Sequence, residues 1–194
     1  MKRILTLIVA LAMAALSLAF ISCASAPMSK SEKEQQQDSV REMANKALAD
    51  LYTKNPAARS EISKAAGYAV FSDVGVKFIF MGGAGGSGEA VNNATKQETY
   101  MKMAEFQPGL GFGAAKFRIV FIFETLEALN SFVTSGWEAG ANAMAIAKTK
   151  GEGGALAGAV TVSNGVKMIQ LNDEGGIIGV SITAAKYYKD KDLN

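Results

Sequence analysis

The polar and apolar positions of this chain change rhythm twice. From residue 39 the apolar side chains Val40, Met43, Ala44, Ala47, Leu48, Leu51 and Tyr52 recur at intervals of three and four, one stripe of an amphipathic helix. Ser39-Val40-Arg41-Glu42 has the spacing of a capping box, so the pattern predicts a helix that starts there. Asn55-Pro56 stops it and can start a second helix, which ends at Gly67. From Tyr68 the rhythm shortens toward two, and glycines punctuate it. Val76 to Met81, Glu98 to Glu105, Gly109 to Ala115 and Phe117 to Phe123 read as strands. Thr125 then caps a third helix carrying Leu126, Leu129, Phe132 and Val133, closed by Gly136.

Ala141 to Lys148 alternates with period two, which favours a strand, while its alanine content leaves a helix open. Asn164-Gly165 lies between Val160-Thr161-Val162 and Met168-Ile169, a hairpin signal because both turn residues tolerate positive φ. Ile178, Val180 and Ile182 alternate with small residues in a last strand. Two helices, about five strands, one helix and about four strands do not make βαβ units. The pattern predicts an α+β domain: N-terminal helices packed on a large antiparallel, barrel-like, glycine-rich sheet, with one further internal helix.

The N-terminus changes the domain organisation. Lys2 and Arg3 precede an uncharged stretch from Ile4 to Ile21, the layout of a secretory signal. It ends in Phe20-Ile21-Ser22-Cys23, which resembles a bacterial lipobox, and Cys23 is the only cysteine among 194 residues. This predicts a signal peptide over residues 1–22, a lipidated Cys23 with a polar tether over 23–38, and the folded domain over 39–194. Ala24 follows the cysteine where aspartate would retain a lipoprotein in the inner membrane. The expected location is the cell envelope, anchored in the outer membrane and facing the periplasm. Removing two basic and no acidic residues takes the net charge from +2 to zero.

Composition then narrows the chemistry. The chain has no histidine, so His-ligated metals, His-based triads and His pH switches are excluded. One cysteine excludes an internal disulfide framework. A neutral mature chain carries no general drive toward nucleic acid. Gly83 to Gly88 satisfies the spacing of a dinucleotide fingerprint, but the segment after it has no amphipathic stripe to supply the helix that such a site needs. Asp73, Glu89, Glu105, Glu124 and Glu138 are scattered, and no nucleophile elbow is present. No catalytic residue, cofactor or metal site is predicted, and the chain reads as a binding protein, not an enzyme. Gly109, Gly111 and Gly113 share one strand face, where a bent sheet or a slender ligand such as an acyl chain can come close.

Several motifs together resemble the SYLF domain. They are Ile62-Ser63-Lys64-Ala65-Ala66-Gly67-Tyr68-Ala69-Val70-Phe71, Val74-Gly75, Gly82-Gly83 to Gly88, and Gly109-Leu110-Gly111-Phe112-Gly113-Ala114. The stretch from Thr161 to Asn194, with Lys186-Tyr187-Tyr188 and Asp192-Leu193-Asn194, is similar to the bacterial branch. The resemblance implies lipid binding. Eukaryotic members bind phosphoinositides, and bacterial relatives look like secreted or lipid-anchored proteins with phospholipid affinity.

The expectation is an envelope lipoprotein whose domain binds anionic phospholipid head groups non-covalently. The residues expected to face lipid are Lys77, Gly83, Gly85, Gly88, Gly109, Gly111, Gly113, Lys116 and Arg118. The alternative is a structural or protein-interaction lipoprotein in which lipid serves only as the Cys23 anchor.

Overall fold

The computed structural model describes residues 28–78, 81–108, 113–139, 158–178 and 184–194. The expected signal peptide, Cys23, Gly109, Gly111, the stretch 141–148 and most of the strand expected over 178–183 lie outside them. The chain divides into two units, Met1–Glu32 and Lys33–Asn194, and the second holds the sheet. No described helix is long and apolar enough to cross a membrane.

Helix α1 runs from Lys30 to Lys54 and α2 from Ala57 to Lys64. The stripe on α1 is as expected: Val40, Ala44, Ala47, Leu48 and Leu51 are buried. Its start is not. A capping box forms ten residues earlier, where Ser29 N donates to Glu32 Oε2 at 2.8 Å and Glu32 N donates to Ser29 Oγ at 3.3 Å. Lys, Glu and Gln between the two candidate boxes are good helix formers, so the expected tether is helical from Lys30. Pro56 caps α2 rather than opening its first turn, and the helix ends at Lys64 with Ala65 already extended.

Strand β1 (Gly67–Phe78) pairs with β2 (Met81–Asn92) over its whole length. The apolar run 76–81, expected as one strand, is therefore split between the end of β1 and the start of β2. Strand β3 is Glu98–Pro108, and β4 is Gly113–Phe123, one strand where two were expected. Helix α3 (Leu126–Ser135) begins and ends where the sequence placed it, with Thr125 Oγ1 accepting from Ala128 N and Gly136 at φ 77°. The remaining strands are β5 (Trp137–Ala139), β6 (Val160–Ser163), β7 (Val166–Asn172), β8 (Ile177–Ile178) and β9 (Ala184–Lys189). Asn164-Gly165 turns the β6–β7 hairpin, with Gly165 at φ 68°.

All described pairings are antiparallel, in the order β5-β9-β3-β2-β1-β4-β7-β6, with β8 also on β7. Strand alternation gives this curled sheet two buried faces. One carries Phe71, Met101, Met103, Phe121, Phe123 and Tyr187 and is closed by Leu129 and Phe132 of α3. Phe71 meets Phe121 and Tyr187 edge-on, at centroid distances of 6.0 and 4.9 Å. The other face carries Val70, Val120, Ile122, Ile169 and Leu171 under α1 and α2. Because β4 is covered on both sides, Ile119 to Phe123 is an unbroken buried run.

Two glycines let the sheet curl. A Cβ on Gly86 would lie 2.1 Å from the Ser72 carbonyl oxygen, and one on Gly88 would lie 2.2 Å from that of Val70. Residues 190–194 finish the domain by packing beside α1. Leu193 is buried, and the Asn194 side chain accepts from Tyr100 N at 3.1 Å and donates to Tyr100 O at 2.8 Å. Gln37 and Lys33 donate to the carbonyls of Leu193 and Asn194.

Candidate functional site

The register places one row of polar residues across the helix-covered face: Arg118 on β4, Ser72 on β1, Ser87 on β2 and Lys102 on β3. In the next row outward, Lys116, Val74, Gly85, Ala104 and Lys186 are register partners. Helix α1 covers the sheet only as far as the first of these rows. Along its flank lie two hollows that share Ser39 and Met43. The larger, about 380 Å³, is lined by Lys46 and Glu42 from α1, by Ser72, Lys116 and Arg118 from the sheet, and by Asp173 from the turn after β7.

The cations of these rows differ in what they are free to do. Arg118 is 7% exposed. Its guanidinium donates to Asp50 Oδ2 at 2.6 Å and to the carbonyls of Asn172 and Asp173 at 3.2 and 2.8 Å. It ties α1 to the β7–β8 turn, and only its buried Nε has no acceptor among the described residues. Lys102 is bound to Asp190 at 3.0 Å and Asp192 at 3.3 Å, and Lys186 to Glu138 at 2.7 Å. Lys46 and Lys116 are exposed, and neither has an ion-pair partner among the described residues. The charge available to a ligand therefore sits at the β4 end.

The residues expected to face lipid do not gather in one place. Lys116 and Arg118 line the larger hollow together, one free and one committed. Gly83 and Gly85 are exposed, and a Cβ at either would find its nearest neighbour at 3.5 and 3.9 Å, so the fold does not require glycine there. Gly88 is buried against the Phe71 ring and belongs to the core. Lys77 pairs with Gly82 and Gly113 at the far end of β1, away from the hollow in register. Sequence reasoning missed Lys46, Glu42 and Asp173. Lys46 lies one position before Ala47 of the buried stripe, which is the signal that could have placed it on the flank of α1.

Buried carboxyl oxygens with no hydrogen-bond partner among the described residues lie on both faces of the sheet: both of Asp73 on one and Oε2 of Glu89 on the other. Asp73, 1% exposed, shares the aromatic face, and burial, then its contact with the Glu105 carboxyl, pushes its pKa up to about 7. Glu89 lies beneath α1, and burial, then the Glu98 charge, pushes it up to about 7 against the opposing pull of Arg41. Among the described residues, no group of three or more His, Cys, Asp or Glu side chains is placed to hold a metal ion.

No family model matches the sequence. The chain is similar to Beta cell expansion factor A of Aeromonas veronii. The two are 35% identical over 157 residues, which is 79% of this chain and 57% of that protein. The matched stretch thus spans little more than half the length of this relative.

Proposed function

We propose that this chain is a SYLF-domain lipoprotein of the bacterial envelope, anchored through Cys23, whose domain binds phospholipid head groups non-covalently. The observation that carries the reading is the pair of exposed, unpaired ammonium groups, Lys46 and Lys116, at one hollow beside α1. Ser39 and Ser72 add hydroxyl donors on the same hollow, and Arg118 stiffens its wall. A phosphate accepts hydrogen bonds from all of these groups and carries the charge that the two lysines lack. Beyond the hollow, Gly85 and Ala104 leave a low sheet surface on which acyl chain can lie.

The test is flotation of the chain from Ala24 onward, which has no lipid anchor, on vesicles with and without anionic lipid. Binding to anionic vesicles that weakens with salt is expected. Each basic residue near an anionic surface contributes about 1 kcal/mol, so replacing Lys46 and Lys116 with alanine should weaken binding by about 2 kcal/mol, roughly thirtyfold. Failure of the parent chain to float under any condition would overturn the reading and leave the anchor as its only link to lipid.

A further inference from the structure

The lysines account for only half of the charge around the larger hollow. Glu42 and Asp173 line it too; both are exposed, and neither carboxylate has an ion-pair partner among the described residues. Arg118 is already balanced by Asp50. Two positive and two negative side chains therefore face one space, and none of the four is paired with another. A site selected for phosphate alone gains nothing from two carboxylates, because each repels the anion that the lysines attract.

We infer that the hollow takes a zwitterionic head group: a phosphate held by Lys46, Lys116 and the Ser72 hydroxyl, and a primary ammonium held by Glu42 and Asp173. This rests on the phospholipid reading and narrows it to the phosphoethanolamine type. The ammonium must be primary. Three N–H donors on a compact cation form charge-assisted hydrogen bonds with carboxylates, and the trimethylammonium of phosphocholine has no N–H to donate. A hollow of about 380 Å³ lies within the range of small-ligand sites, and Met43 supplies an apolar wall for the carbons between the two charges.

Titration calorimetry of the chain from Ala24, with O-phosphoethanolamine and with inorganic phosphate, tests the inference. O-Phosphoethanolamine is expected to bind at least about tenfold more tightly, one further charge-assisted contact. The double variant Glu42→Gln, Asp173→Asn should reduce that preference to within twofold without weakening phosphate. Lys116→Ala should weaken both ligands. Equal affinity in the parent, or a preference that survives in the double variant, would overturn the inference.

Flotation on phosphatidylglycerol vesicles that contain either phosphatidylethanolamine or phosphatidylcholine separates the sources of the group. Preference for the ethanolamine vesicles supports the lipid source. Soluble binding without any vesicle binding overturns the phospholipid reading and assigns the hollow to a soluble phosphoester. Vesicle binding without soluble binding keeps the phospholipid reading and overturns this hollow as its site.

Discussion

The two faces of the sheet are built from alternate residues of the same strands, yet they work in different ways. The α3 face is filled by aromatic rings: Phe71, Phe121, Phe123, Phe132 and Tyr187 pack against one another, with Trp137 at the margin. The α1 face is assembled from smaller side chains, Ala44, Ala47, Ala58 and Ala159 among them, and is fixed at its borders by charge. Arg118 holds Asp50 there, and Lys167 holds both Glu61 and Glu124. Alanines bring a helix close without filling the space along its flanks, and the hollows lie along those flanks. Large rings fill the centre of one face and leave a hollow of about 450 Å³ only at its edge, between α3 and the β6–β7 turn, while a narrow helix leaves hollows lined by charged side chains along its flank on the other.

The contrast breaks first if the ring-packed face is not the main source of stability. Phe121→Ala removes a fully buried ring at the centre of that cluster and should cost about 3–5 kcal/mol. A denaturant midpoint close to that of the parent would show that the two faces are equivalent. Lipid binding should persist at temperatures where the variant is still folded.

The buried carboxyls sharpen the comparison through pH. Glu89 and Asp73 both have folded-state pKa values near 7, above the values of about 4 of the unfolded chain. The unfolded chain therefore loses these protons first as pH rises. The contribution of these two groups to stability should be greatest below about pH 4, fall between about 4 and 7, and level off above. Glu89→Gln removes the part of this slope that lies under α1. It should raise stability at pH 8 by on the order of 1–2 kcal/mol and change little at pH 4. Thermal melts of parent and variant at the two pH values measure this. An equal gain at both would show that the charge is not what strains the helix seat.

The smallest effect concerns the open end of the same face. Gly85→Ala meets no close neighbour and lies inside a strand, where glycine is entropically poor. It should stabilise the domain by about 0.5–1 kcal/mol. A chemical melt showing a clear loss instead would mean that the exposed row is less roomy than its backbone shows.

What could be read from the sequence was what neighbouring residues decide together. The Thr125 cap, the Gly136 stop and the Asn164-Gly165 hairpin each depend on a few adjacent positions, and all three stand where the sequence put them. The start of α1 depends on a choice between two boxes of equal spacing. No apolar stripe runs through residues 30–38 to favour the earlier one. The expected break in β4 fell at Lys116, the polar residue between Ala115 and Phe117, whereas Lys116 sits in one continuous strand, in register with Val74 of β1. Lys116 and Arg118 could be named as cations from sequence. Their different fates could not, because Asp50 stands 68 residues from Arg118 along the chain and meets it only in the finished fold.

The residues that close on α1 also set the timing of folding. Lys33 meets the carbonyl of Asn194 across 161 positions of chain, and Gln37 meets Leu193 across 156. The first helix of the domain cannot complete its seat until β9 and the residues after it have been made and paired. Contacts this distant in sequence are formed slowly, since a long loop must close before they are gained. Until then the apolar stripe of α1 and the sheet face beneath it both stay exposed. A chain at that stage carries two exposed apolar surfaces and is prone to aggregate until its last strand is in place.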